Sequence, residues 1–303
     1  PVVRDRAVHR LRYSGPEQDG HVMRSRFFIF APLLLCVLFW TPIYAASVDD
    51  LIFQGSDYQY RGELDKAAQA FTQALRLEPD NEFALNKLAI NHVKQEKFEQ
   101  ARPLFEKVLR LSPDNTFARL WVGLLHLKEN KTPKAFEEFE RILAMDPDNA
   151  NAYYFIGVIY AVEHNPKKAV EFLRKAQDTG SDDPETHFRL ANAFLGMDMA
   201  VNAELEFQRT LKLYPKHTKA LNGLGWLFFN RGDKSLALDS WGQALKINPK
   251  DAEARSNLAK VHNDDAFAAY RKGDAAEAER LWKKTLSYES KNKAALHYLH
   301  KLR

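Results

Sequence analysis

The chain has 303 residues, 45% hydrophobic and 28% charged, a length at which a single globular core would be large. Its formal charge of +4 is mostly local: residues 1–46 hold six Lys/Arg against three Asp/Glu, leaving 38 against 37 in the rest, so the body gives no electrostatic reason to expect nucleic acid. With one cysteine, Cys36, an internal disulfide is excluded.

Residues 1–22 are polar, Arg-rich and broken by Gly-Pro and Asp-Gly, and they are read as an upstream extension outside the fold, with Met23 the better start. Arg24 and Arg26 precede an uncharged apolar run, Phe27 to Trp40, and small residues come next at Ala45, Ala46 and Ser47. That order is the form of a secretory signal peptide over residues 23–46, cleaved after Ala45 or Ala46. The rival reading is an uncleaved anchor, since residues 27–46 carry no charge and approach the ~20 residues a membrane span needs. Either reading exports the chain from residue 47 onward, to a periplasm or to the outer face of an inner membrane, because the two arginines hold the start of the chain inside. Membrane contact is expected only through residues 27–46, if they are retained.

From residue 47 the chain becomes periodic. Ala67, Ala101, Ala135, Ala169, Ala203 and Ala237 recur every 34 residues, and Ala278 comes after 41. Four positions after each stands Phe71, Phe105, Phe139, Leu173, Phe207, Trp241 or Trp282. A period of roughly 20–50 residues marks stacked repeats. Within a period, Leu85, Leu88 and His92 and then Ala101, Phe105 and Val108 step by three and four, as helical faces do. Gly62, Gly232 and Gly273, or polar stretches such as Glu96-Lys97 and Asn165-Pro166, break the two helices apart. Pro-Asp-Asn at 79–81, 113–115 and 147–149 ends one unit and caps the next. The small residues Gly55, Ala89, Gly123, Gly157, Ala191, Gly225 and Ala259 are expected to face the periodic alanines, with the large residues filling the gap between neighbouring pairs. No helix pair buries its core alone, so the pairs stack.

The spacing of 41 exceeds the period by seven, which predicts a seventh first helix about two turns longer than the rest. Residues 292–303 are expected to form a capping helix, with Ala294, Leu296 and Leu299 as its apolar side.

These features resemble the tetratricopeptide-repeat (TPR) family. Its pattern is carried in the sixth unit by Leu221, Leu224-Gly225, Phe228, Ala237, Trp241 and Pro249, and the similarity covers seven tandem units over about residues 48–293. The resemblance implies an all-α, right-handed superhelical TPR solenoid of seven repeats (47–291) plus the cap, used as a non-enzymatic scaffold for protein partners. The chain departs from the pattern at Ser181 and Ser290, which lack the proline. It departs also at His92, His126 and His262 in place of the tyrosine, and at Arg119, His187 and Arg255 in place of the first large residue, which is expected to loosen those repeats.

No motif suggests catalysis, a cofactor or a metal. Gly223-Leu-Gly225 sits mid-helix without a third glycine, so it is read as packing. His92 and His126 are read as core residues, and His297 and His300 as a solvated face. What stands out is the first-helix face at positions 2, 5, 9 and 12 of each repeat, which looks into the solenoid's concave side. It offers Phe83, Asn86 and Ile90; then Phe117, Leu120 and Leu124; then Tyr154 and Val158; then Phe188 and Asn192; and then Asn222, Trp226 and Phe229. Either neighbouring first helices cover these side chains, or a partner does. The second reading gives a groove for an apolar or amphipathic protein or peptide segment, with the asparagines holding its backbone. The processes family analogy suggests are bacterial cell-envelope assembly, with a membrane-tethered adaptor recruiting an enzyme or a self-assembling solenoid as alternatives.

Overall fold

The computed structural model describes residues 46–180 and 182–302, so the leader read from residues 23–46 falls, but for Ala46, outside the described residues, as do residues 1–22 and Ser181. The described residues form fifteen helices and no strand. They fall into two compact units that meet in sequence at Asp146 and Pro147. The first holds α1 (Val48–Tyr60), α2 (Leu64–Leu77), α3 (Glu82–Lys94), α4 (Phe98–Leu111), α5 (Thr116–Lys128) and α6 (Thr132–Met145). The second holds α7 (Ala150–Val162), α8 (Pro166–Asp178), α9 (Pro184–Leu195), α10 (Ala200–Leu213), α11 (Thr218–Arg231), α12 (Lys234–Ile247), α13 (Ala252–Arg271), α14 (Ala275–Tyr288) and α15 (Lys293–Lys301). Within each unit every first helix packs on the second helix of its own repeat, and that helix packs on the next first helix, as in TPR solenoids.

Both turns of the repeat have local causes. Every first helix is capped by the side chain before it: Ser47, Asn81, Asn115, Asn149, Asp183, His217 and Asp251 each accept a hydrogen bond from an amide two or three residues into the helix. Such a cap contributes ~1 kcal/mol. His217 performs this through Nδ1, 3.1 Å from the Ala220 amide, which places its remaining proton on Nε2. The turn inside each repeat needs one left-handed residue. Gly62, Gly232 and Gly273 supply it as the sequence suggests, but Glu96, Asn130, His164 and Asp198 hold the same register at φ 56–60°.

The small residues of the first helices serve a different neighbour from the one expected. A Cβ on Gly55, Gly123, Gly157 or Gly225 would come within 2.4–2.7 Å of Phe71, Phe139, Leu173 or Trp241, the large side chain of the same repeat. The glycine therefore opens a socket for that side chain rather than a crossing for the alanine. Gly223 is a second socket, where a Cβ would lie 2.4 Å from Phe207 of the preceding repeat. Gly223-Leu-Gly225 thus seats the rings of two successive repeats.

The seventh first helix, α13, is one continuous helix of 20 residues, against 12 to 14 in the others. Its length divides the core. Ala254, Leu258 and Val261 pack with Leu221, Ala237, Trp241 and Ala244, whereas Ala266 packs with Ala278, Leu281, Trp282 and Ala295. The cap α15 forms, but its buried stripe is Ala295, Tyr298, Leu299 and Leu302, with Tyr298 stacked 5.0 Å from Trp282. Leu296, expected to face inward, is exposed, because the stripe runs at spacings of three and four from Ala295.

Candidate partner-binding face

In the first unit, Phe83 on α3 is 49% exposed, and the Lys87 ammonium lies 5.0 Å from its ring centroid. Asn86 and Ile90 are half-buried, and the Asn86 Oδ1 is closed from solvent with no hydrogen-bond partner. On α5, Phe117 is half-buried and meets Trp121 edge-on at 6.4 Å, while Leu120 and Leu124 are buried.

In the second unit, Tyr154 and Val158 on α7 are also buried. Phe188 on α9 is half-buried, 4.7 Å from the His217 ring, and Asn192 one turn on is exposed. The Asn192 amide group donates to the Phe188 carbonyl at 2.7 Å. Asn222 on α11 is buried, and its Nδ2 donates to Asp251 at 3.0 Å and Glu253 at 3.3 Å, so it joins repeat six to repeat seven. Trp226, one turn further, is 50% exposed, and Phe229 is half-buried with its ring 6.0 Å from Trp241. Of the thirteen residues singled out by register, Leu120, Leu124, Tyr154, Val158 and Asn222 therefore lie inside their units. Phe83, Asn192 and Trp226 stand open, and the other five are half-buried.

What the sequence reading missed is polar. Tyr154 hydrogen-bonds Arg189, which pairs with Glu185 at 2.9 Å, and the Glu185 carboxylate reaches His217 Nε2 at 3.6 Å. This chain of polar contacts ties α7, α9 and the start of α11 together behind the open residues. Of the residues that depart from the family pattern, the three in place of the first large residue each have partners. Arg119 pairs with Glu138 at 2.7 Å with both side chains largely buried, and Arg255 donates to the Tyr288 carbonyl. His187 lies between Glu206 (Nδ1, 2.6 Å) and Asp182 (Nε2, 2.8 Å), and the Glu206 bond leads in raising its pKa. A signal was present: Glu138 and Glu206 both stand 19 residues after their basic partner, where other repeats carry Ala70, Leu104, Phe172 and Ser240.

The three histidines in the tyrosine register share another state. His92, His126 and His262 each bury Nδ1 without a partner, and burial lowers the pKa of all three, that of His262 to about 4. Among the described residues no group of His, Cys, Asp and Glu is arranged to hold a metal ion, and no helix is long and apolar enough to cross a membrane.

Models described as "Tetratricopeptide repeat" match residues 48–81, 86–148, 123–184 and 188–252. A curated relative, the uncharacterized protein ycf37 of Pyropia yezoensis, is 29% identical over 133 residues, 41% of this chain and 70% of that protein. Among solved structures, PilW, described as a widely conserved type IV pilus biogenesis factor, superposes with a TM-score of 0.62 at 18% identity over 70% of this chain and 98% of its own. YrrB, described as a TPR protein with an unusual peptide-binding site, superposes at 0.50 and 21% identity over 64% and 96%. At these identities the structural likeness concerns the fold alone.

Proposed function

Because the chain belongs to the tetratricopeptide-repeat family, we propose that it is a non-enzymatic scaffold, exported from a bacterial cytoplasm, that binds an apolar or amphipathic segment of a partner protein during cell-envelope assembly. The observation that carries the binding reading is Trp226. Half of an indole stays open on a first helix, next to half-buried Phe229, with Asn192 open at the same register position of the preceding first helix. Large aromatics of this kind are the usual anchors of protein recognition, at ~2 kcal/mol or more when truncated. The asparagine Oδ1 remains to accept a backbone N–H of the ligand. Phe83, Phe117 and Ile90 offer apolar surface on the first unit. The peptide-binding YrrB and the pilus factor PilW support the partner class and the envelope setting by likeness. Export rests on the order of charge, apolar run and alanines in residues 23–46.

The test is partner capture from crosslinked envelope, read together with thermal stability. Trp226→Ala reduces capture several-fold and leaves the melting temperature nearly unchanged. Tyr154→Ala, being internal, unfolds early. Full capture by a stable Trp226→Ala protein contradicts the proposal. N-terminal sequencing separates the export forms: a start at Ala46 or Ser47 identifies a cleaved signal, whereas a retained Phe27–Trp40 identifies an anchor.

A further inference from the structure

The junction between neighbouring repeats has a fixed register. On α5, Trp121 meets the preceding second helix, its ring stacked 5.8 Å from Phe105 of α4. On α11 the same position is Gly223, where a Cβ would lie 2.4 Å from Phe207 of α10. Two periods before Trp121, the position is Phe53 of α1. No second helix among the described residues fills that place, and Phe53 is 77% exposed. Tyr60, about two helical turns further along, is 92% exposed. An end repeat of a solenoid ordinarily turns a polar face outward, and this one turns out two large rings.

The charge beside those rings has one sign. Asp49, Phe53, Asp57 and Tyr60 follow at spacings of four, four and three, which places them on one side of α1. The helix holds three aspartates and no lysine or arginine. Asp50 is engaged in the cap, where it accepts from the Ser47 amide and hydroxyl. Asp49 makes no ion pair among the described residues. Asp57 pairs with Arg61 at 2.9 Å, an exposed contact between side chains one turn apart, which a second cation displaces at little cost.

We propose that the outer face of α1 is a docking site for a basic amphipathic helix of a partner protein, lying where a second helix lies at the α4–α5 and α10–α11 junctions. Its apolar residues pack against Phe53 and Tyr60, and its Lys or Arg residues meet Asp49 and Asp57. The register sets a helix as the occupant, and the aspartates set its charge. Such a contact weakens with salt, unlike the apolar contact at Trp226, and it does not rest on that site.

The experiment is fluorescence anisotropy of a labelled peptide of about 14 residues, roughly four helical turns, with leucine and lysine in amphipathic register. It is titrated with the whole protein at low and at physiological salt, against the same peptide with glutamate for lysine. The lysine peptide binds about tenfold tighter, and the preference shrinks as salt rises. Asp49→Asn with Asp57→Asn removes most of the preference. The same loss of charge at exposed turns, Asp114→Asn with Asp148→Asn, leaves it intact. Phe53→Ser with Tyr60→Ser abolishes binding at an unchanged melting temperature, because both rings are exposed. Trp226→Ala binds the peptide as the parent does. Equal binding of the two peptides, or undiminished binding in either α1 double variant, overturns the proposal. So does loss of binding in Trp226→Ala, which moves the peptide to the other face. Concentration-dependent dimers abolished by Phe53→Ser assign the face to a second copy and overturn it as well.

Discussion

Repeats five and six lie side by side in the second unit and close their interiors by different chemistry. In repeat five the fourth position is His187, held by Glu206 and Asp182. In repeat six it is Leu221, and the interior is completed by Trp241 seated on Gly225. Even the inner turns differ: repeat five places Asp198 in the left-handed conformation, repeat six Gly232. At the positions of His187 and Glu206 one backbone thus accepts a buried ion pair or, in repeat six, Leu221 and Ser240.

The largest expected effect comes from breaking the polar interior. Glu206→Ala leaves His187 without its main partner and costs about 3–5 kcal/mol in chemical denaturation, the usual result of removing one member of a buried pair. His187→Leu with Glu206→Leu, the pair repeat two uses at Leu85 and Leu104, restores most of the loss. A single variant as stable as the parent removes the distinction between the repeats.

Acidity reads the two kinds of histidine in opposite directions. His187 has a raised pKa, so its contribution is fully present below its unfolded value of 6.5 and is lost as pH rises through the folded value. His262, lowered to about 4, binds its proton more readily when unfolded, so stability is lost as pH falls from 6.5 to about 4, by about 3 kcal/mol. His262→Phe flattens the acid limb of the stability profile and leaves the alkaline limb unchanged. An acid limb unaffected by that substitution contradicts the buried neutral imidazole.

Breaking the apolar interior costs less. Gly225→Ala drives a methyl to 2.4 Å from Trp241 Nε1, an overpacking worth about 1–3 kcal/mol in melting experiments. The smallest effect lies in the inner turns. Asp198→Gly relieves a left-handed residue and gains up to ~1 kcal/mol, while Gly232→Asp loses a similar amount.

The fold was legible because a 34-residue period of alanine and a large apolar residue leaves few architectures. The long α13 was legible for the same reason: a seven-residue insertion preserves a helical face. The turns were legible only in part, since three of the seven left-handed positions are glycine and the others are set by the fold against residue preference. The face proposed for binding was the least legible. Register tells which way Tyr154, Leu120 and Trp226 leave their helices, but whether water reaches them depends on the side chains around them. Tyr154, at position 5 of the fourth first helix, is closed at 4%, and Trp226, at position 9 of the sixth, is open at 50%. The ion pairs escaped a reading taken along the chain, because His187 and Glu206 become neighbours only when α9 and α10 pack.

Whether Trp226 meets a partner is read most directly by site-specific photocrosslinking in intact cells, with a photoreactive phenylalanine at position 226 and, as the control, at Leu236, an apolar residue 46% exposed on the second helix α12. A first-helix recognition face predicts a discrete protein adduct from 226 and none from 236. No adduct at 226, or the same adducts from both positions, contradicts it.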